Sequence, residues 1–430
     1  MPTNDALFLG LDVGTSGVRA CAVDAAGEPV ATAETAMPAP RRDGPAVEHD
    51  PEVWWQATVD TLHALRGTID LARLRRIAVD GTSGTLLLVD AAGRPLTPGL
   101  MYNDARAAEP AGRIAAVAPP ESGAHGPTSA LAKLLHVLAE GREAGAAHAV
   151  HQADWIAGRL TGRQGVSDEN NALKLGYDPV ARRWPGWLDA LGVPRPLLPT
   201  VLTPGLTIGR VSAKAAAALG LSDTTEIVAG TTDGVAAFLA TRAAAVGDAV
   251  TSLGTTLVVK VMSERPVFAP AQGVYSHRLG DRWLAGGASN SGGAALLAHF
   301  DAATIEALTP RLDPEHPTGL HYYPLPAPGE RFPIADPAMP SRTEPRPADD
   351  ATFLQALLEG IAEVEALAYA RLAEFGAPRP RRVLSVGGGS RNAAWERIRG
   401  RVLGVPVATA ARTDAAYGTA LLALAGGVPS

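Results

Sequence analysis

Leu9-Gly10-Leu11-Asp12-Val13-Gly14-Thr15-Ser16-Gly17-Val18-Arg19 and, about 240 residues further on, Thr251-Ser252-Leu253-Gly254-Thr255-Thr256-Leu257-Val258-Val259-Lys260 spell one pattern twice: an apolar strand, a Gly-Thr-Ser/Thr turn and a second apolar strand. Each copy is followed by further hairpin-forming sequence. A chain that repeats a β-hairpin at the head of each half is expected to fold as two related α/β domains that could face each other across a central cleft. The 430 residues allow for two or three domains of roughly 150 residues.

Composition narrows the function classes. Gly (46) and Pro (35) together stay below the roughly 25–30% at which low complexity becomes the default, so the chain reads as globular. The formal charge is −6, from 38 basic and 44 acidic residues, and no Lys/Arg run offers the stripe that phosphate neutralisation requires, which argues against nucleic acid as a partner. The single cysteine, Cys21, and the absence of zinc-type His/Cys spacing suit a reducing compartment. The N-terminal stretch MPTNDALFLGLDVG lacks a basic region and carries Asp12 in its first apolar run, and Ala213–Leu221 is too short to span a bilayer. A cytoplasmic protein without a membrane partner is expected.

Periodicity predicts strands at Leu7–Asp12, Val18–Val23 and Glu28–Ala36, a helix at Pro51–Leu65 capped by Asp50, and a strand Arg76–Asp80 entering the small polar loop Gly81-Thr82-Ser83-Gly84. Further helices are predicted at Val235–Ala245, Ala294–Phe300, Thr352–Phe375, Ala393–Leu403 and Asp414–Ala425, and strands at Ala249–Leu253, Leu257–Met262 and Arg382–Val386. Strand groups interleaved with helices make the fold α/β. The Pro-rich stretch Tyr323–Pro347 reads as a long ordered loop.

A Gly followed by two hydroxyl residues at a hairpin tip presents N–H and O–H donors that suit phosphate oxygens; a single copy reads equally as a plain turn, and the duplication favours phosphate. Asp12, two residues before the first turn, is then placed to meet Mg²⁺ through water, its alternative being a cap on backbone N–H groups. Asp233 in Gly230-Thr231-Thr232-Asp233 opens a helix, where capping and acceptance of a proton can coexist. Gly387-Gly388-Gly389-Ser390-Arg391-Asn392 joins a strand to a helix; three glycines let backbone lie against a planar ligand, and Asn392 can hydrogen-bond it. It fails the dinucleotide fingerprint because Asn392 stands at the third glycine position, and no P-loop word occurs. Gly286–Gly293 reads either as a lining of the nucleotide cleft or as a tight loop.

Taken together, GLDVGTSGVRA, IAVDGTSGTLLL, QADWIAGRLTG, NNALKLGY, AGTTDGVAAFLA, VTSLGTTLVVK, GGASNSGGA and GERFPIADP resemble the actin-like ATPase superfamily and, within it, the FGGY carbohydrate kinases, with most likeness to the short D-ribulose kinases of cyanobacteria and plants. The resemblance covers nearly the whole chain. It implies a two-domain actin-like (ribonuclease H-like) fold: a sugar-binding domain 1–240, a nucleotide-binding domain 241–413, and a terminal helix 414–430 packing back on the first. It implies ATP as phosphoryl donor with Mg²⁺, and a small-molecule sugar as acceptor, a ketopentose such as D-ribulose first and D-xylulose or another polyol second, in a monomer or homodimer. On this likeness Asp233 is the general base, Asp12 serves Mg²⁺ and sugar, and Ser83 lines the sugar pocket. Thr15, Ser16, Gly254, Thr255 and Thr256 hold phosphates, and Gly388, Gly389, Asn392 and Trp395 hold adenosine. Thr82-Ser83-Gly84 and Tyr102-Asn103-Asp104-Ala105-Arg106 depart from words common in xylulokinases and glycerol kinases at places the likeness assigns to the sugar. An actin- or chaperone-type ATPase without a sugar is the reading of a different class.

Overall fold

The computed structural model describes residues 5–426; Met1–Asn4 of the N-terminal stretch and the last four residues of the expected terminal segment lie outside the described residues. The chain divides into two compact units, Met1–Arg242 with His277–Gly280 and Asp414–Ser430, and Ala243–Ser276 with Asp281–Thr413.

In the first unit, strands Leu7–Val13, Gly17–Val23 and Pro29–Ala36 pair antiparallel in succession, because two tight turns return the chain beside itself. On the other side of Leu7–Val13 lie Leu74–Gly81 and then Glu226–Thr232, both parallel to it. Thr207–Arg210 closes that edge antiparallel. The central strands are apolar nearly throughout, as sheets covered on both faces require. Helix Pro51–Leu65 covers one face: Asp50 accepts from Glu52 N–H at 2.9 Å, Pro51 occupies the first turn, and Trp54, Leu62 and Leu65 are buried, with Val59 only half-buried.

The terminal helix Ala415–Ala425 packs on strand Leu7–Val13 and helix Asp233–Ala240. The approach is close enough that a Cβ on Gly10 would sit 2.0 Å from Ala416 O, and one on Gly418 would sit 1.9 Å from Ala236 O. Helix Asp233–Ala240 is shorter than the predicted Val235–Ala245. Arg242 takes φ 57°, which ends the helix, and its guanidinium donates to Tyr417 OH at 2.8 Å and Gly27 O at 2.7 Å. Alanine periodicity carried on past Ala240, but these long-range bonds hold the turn.

The second unit repeats the plan. Asp248–Leu253 pairs antiparallel with Leu257–Ser263, which pairs antiparallel with Arg282–Ser289, while Arg382–Val386 and Val407–Thr409 follow in parallel on the other side. Gly286–Ser289, in the stretch read either as cleft lining or as a tight loop, belongs to strand Arg282–Ser289. The helix predicted at Ala294–Phe300 forms at Gly293–Leu297. Helix Asp350–Glu374 crosses this unit's core with sixteen buried positions. Tyr323–Pro347 carries only isolated bridges, Tyr323 with Arg342 and Glu330 with Asp336. Helix Ala108–Val117 was not predicted: it has no side-chain cap and buries only Pro110 and Ile114, too few positions to show a period. Among the described residues no helix is long and apolar enough to cross a membrane.

Candidate active site

In the first unit three parallel strands end side by side, and a carboxyl sits at or just beyond each end. Asp12 and Asp80 are register partners, Thr231 pairs with Asp80 on the other side, and Asp233 follows as the first residue of its helix. The carboxyl ends of parallel strands are where open α/β sheets bind ligands. Gly230 permits the arrangement: the register slips between Val228 and Thr231, and a Cβ there would lie 1.7 Å from Val79 O. Asp233 is not the cap itself. Thr232 holds the cap position without a side-chain bond, and Asp233 Oδ1 accepts from Gly234 N–H at 2.6 Å.

Burial pushes the Asp12 carboxyl above its ordinary range and the Asp233 charge adds to that, while hydrogen bonding from Asp80 and Arg19 opposes it. Asp80 is pushed well above the carboxylate range by complete burial and by the Asp12 charge. Thr419, on the terminal helix, donates to Asp80 Oδ2. Asp80 Oδ1 is buried and meets no donor, so its contact with Asp12 is a hydrogen bond only when Asp80 carries the proton. Sequence reading passed over Asp80, although IAVDG ends a strand on a carboxylate just as LGLDVG does.

The Gly81–Gly84 loop is clamped from below. Thr82 N–H and Oγ1 both donate to Gln152 Oε1, at 3.1 and 2.8 Å, and the Thr82 and Thr85 hydroxyls share a 2.6 Å hydrogen bond. Gly84 takes φ +88°, and Lys174 Cδ would stand 3.1 Å from a Cβ there. Lys133 donates to Gly84 O at 2.8 Å and Met101 O at 2.6 Å, and Lys174 donates to Ser83 O at 3.3 Å. Burial pulls Lys133 down to about 7, with Lys174 and Arg106 adding to the effect against Asp104. Ser83 alone in the loop is only half-buried, and its hydroxyl has no partner among the described residues. Neither lysine carried an expected role. Asn171 Nδ2 donates to Asp168 Oδ2 at 2.6 Å and Thr231 O at 3.2 Å, so the NNALKLGY segment also braces the strand leading to Asp233.

Asp104 and Arg106, in the word expected to touch sugar, are spent inside the protein. Asp104 Oδ2 accepts from Val47 N–H at 2.8 Å and from Arg106 Nη2 at 2.6 Å, and Arg106 Nη1 reaches Glu48 at 2.8 Å. Thr15 and Ser16 stand at the first hairpin tip, which closes through Gly14 N–H to Gly17 O at 3.0 Å.

In the second unit the same position in the sheet carries the other hairpin and the glycine loop. Ser252 pairs with Val386 at the ends of parallel strands. Gly254, Thr255 and Thr256 form the tip, with Gly254 N–H bonded to Thr256 O at 3.2 Å and Thr255 exposed. Gly293 N–H donates to Gly254 O at 2.8 Å and Ala294 N–H to Thr255 O at 3.1 Å, so the Gly-rich segment after Ser289 buttresses this tip. Gly387 takes φ +85° with its Cβ position against Leu253 O, and Gly388 is exposed with open space where a Cβ would be.

One expected adenosine contact, Trp395, is corrected, and another, Asn392, is also engaged within the protein. Trp395 is 3% exposed and donates its indole N–H to Leu358 O at 3.1 Å; it lies under Gly389, whose Cβ would meet its ring at 2.5 Å. Trp395 is therefore a floor beneath the glycine loop and not a ligand surface. Asn392 caps helix Ala393–Leu403 through Oδ1 to Trp395 N–H at 3.0 Å and donates from Nδ2 to Thr309 Oγ1 at 3.1 Å, so its amide first of all shapes the loop. Aromatic and amide side chains in such words read as ligand-facing until packing shows where they point.

Residues 7–240 match the N-terminal domain, and residues 249–426 the C-terminal domain, of the FGGY family of carbohydrate kinases. The chain belongs to this family. Among FGGY relatives it is 28% identical over 286 residues to a xylulose kinase of Escherichia coli (strain K12), a match that spans 64% of this chain and 59% of that protein. It is 27% identical over 449 aligned positions to an autoinducer-2 kinase of Yersinia pestis (strain Pestoides F), across 94% of this chain and 83% of that one. A crystal structure of a xyloylose kinase from Brucella ovis superposes with a TM-score of 0.88 at 26% identity, covering 98% of this chain and 90% of the other. The fold is thus that of the FGGY sugar kinases, the two-domain actin-like ATPase fold.

Among the described residues no group of three or more His, Cys, Asp or Glu side chains would cage a metal ion. Mg²⁺ commonly keeps several waters and takes one or two carboxylates plus substrate phosphates. Asp12, a buried carboxylate whose charge is disfavoured by burial and by Asp233, fits that mode.

Proposed function

We propose that this FGGY chain is an ATP-dependent sugar kinase that transfers the γ-phosphoryl group of ATP to the terminal hydroxyl of a ketopentose, D-ribulose foremost. The observation that carries the reading is the row of Asp12, Asp80 and Asp233 at the ends of parallel strands, beside a half-buried, unpartnered Ser83 hydroxyl. In it, Asp233 accepts the proton of the attacking hydroxyl, and Ser83 hydrogen-bonds the sugar. Thr15, Ser16, Gly254, Thr255 and Thr256 offer phosphate oxygens N–H and O–H donors, and Gly388 and Gly389 lie against adenosine. On this reading residues 1–240 carry the sugar-binding groups and 241–413 the adenosine-binding ones. Asp12 would hold Mg²⁺ that arrives with ATP, and the ion when bound supplies charge neutralisation on the phosphates. Phosphoryl transfer draws most of its acceleration from such positioning and charge neutralisation, with general-base help worth about 10²–10⁴.

D-ribulose rests on the motif likeness to the short D-ribulose kinases. D-xylulose is the second reading, favoured by the E. coli xylulose kinase match and the Brucella ovis structure. ADP release measured against D-ribulose, D-xylulose, L-ribulose, pentitols, hexoses and glycerol tests both. A highest kcat/KM on D-ribulose supports the first reading; a highest value on D-xylulose replaces it with the second; ADP release indifferent to every sugar refutes the kinase assignment.

A further inference from the structure

The donors around the acid row are already engaged, the Arg19 guanidinium with Asp12 at 3.6 Å. Asp12, Asp80 and Asp233 crowd one edge of the first unit. Thr82 and Thr85 are occupied with each other and Gln152, and Lys133 is fully buried with two backbone carbonyls. Lys174 differs. It is half-buried, its one partner among the described residues is Ser83 O at 3.3 Å, and no carboxylate pairs with it within ion-pair distance, although the Asp233 charge acts on it. An ammonium has three N–H donors and no acceptor, so Lys174 has donors left beside the one unpartnered hydroxyl of the loop.

We infer that Lys174 is a specificity-determining residue of the acceptor pocket, donating to the carbonyl oxygen of an open-chain keto sugar that lies between Ser83 and Asp233. The inference rests on the sugar-kinase reading and adds to it the group that selects a ketose. A sugar hydroxyl both donates and accepts, and can satisfy a carboxylate. A ketone oxygen only accepts, is repelled by the neighbouring anions, and needs a cationic donor. Discrimination by a polar group built to pair with one substrate oxygen is strong because the site's buried group is left unpaired by the wrong substrate. The 3.3 Å contact with Ser83 O places the ammonium beside the loop, and the alkyl stem packs on Gly84, which has no side chain to obstruct it.

The test compares D-ribulose with ribitol, its C2-reduced form, in the full-length wild type, Lys174→Met and Lys174→Arg. Methionine keeps the stem and removes the donors. The expected result is a KM for the ketose raised about 10- to 100-fold in Lys174→Met with ribitol changed by less than about threefold, an unchanged melting temperature, and partial recovery in Lys174→Arg. Equal changes for ketose and ribitol, or none, overturn the inference and reduce Lys174 to a brace for Ser83. Failure of the kinase reading shows separately, as a wild type without sugar-dependent ADP release. In that case calorimetric titration of both sugars into wild type and Lys174→Met decides: selective loss of ketose binding upholds the role, and identical or absent binding removes it.

Discussion

Asp12 and Asp80 stand directly across from each other on adjacent parallel strands, and both carboxyls are buried, Asp80 completely. Two ionised carboxylates on neighbouring strands would repel, so burial and the Asp12 charge favour the acid form of Asp80, with Thr419 donating to its Oδ2. Asp80→Asn retains a donor toward Asp12 and an acceptor toward Thr419. It should melt close to wild type and keep sugar phosphorylation within about tenfold, whereas Asp80→Ala leaves buried groups unpaired and should cost about 1–3 kcal/mol. An Asp80→Asn enzyme that folds normally but is inactive would show that ionised Asp80 is required.

Asp233→Asn keeps an oxygen for the Gly234 N–H and removes the basicity. Phosphoryl transfer should fall by roughly two to four orders of magnitude while the protein stays folded. If the residue served the helix terminus alone, stability would drop by about 1 kcal/mol and kcat would hardly move. Melting temperature and kcat, read on the same variant, separate the two.

The glycine loop offers an internal control. A Cβ on Gly388 enters open space, whereas one on Gly389 meets the Trp395 ring at 2.5 Å and Leu253 Cβ at 2.9 Å. Gly388→Val should fold and raise KM for ATP with little effect on KM for the sugar. Gly389→Val should instead lose stability by about 1–3 kcal/mol from overpacking. A Gly388→Val enzyme with an unaltered KM for ATP would move the nucleotide away from this loop.

Lys133 gives the fold a distinctive pH dependence. Its ammonium loses its proton around 10.5 in the unfolded chain but is pulled down to about 7 in the fold, so between those values the unfolded state binds more protons and stability rises with pH. Below about 7 the cost of burying the charge is present in full. Asp168, pushed up to about 7 by burial, contributes the opposite slope between 3.8 and about 7, in wild type and variant alike. The difference in unfolding free energy between wild type and Lys133→Met should therefore shift toward wild type from pH 7 to 9, by no more than about 1.4 kcal/mol per unit. A pH-independent difference would mean the amine is charged in the fold.

What the sequence determined by itself was whatever rests on neighbours along the chain. Gly-Thr-Ser and Gly-Thr-Thr tips, the Asp50 cap and the switch from strand to helix at Asp233 follow from backbone sterics and side-chain periodicity over a few residues, and a duplicated word was enough to show a duplicated sheet. The roles decided by tertiary structure involve residues far apart in sequence. Asp80 acquires its meaning from Asp12 across a strand pair and from Thr419 on the last helix; Lys133 and Lys174 from carbonyls of a loop tens of residues away. Trp395 and Asn392 turned inward because Gly389, Leu358 and Thr309 receive them, and Arg242 ends its helix because Tyr417 and Gly27 hold its guanidinium. Burial, charge coupling and long-range hydrogen bonds depend on which segments the sheet brings together, and no local pattern encodes that pairing.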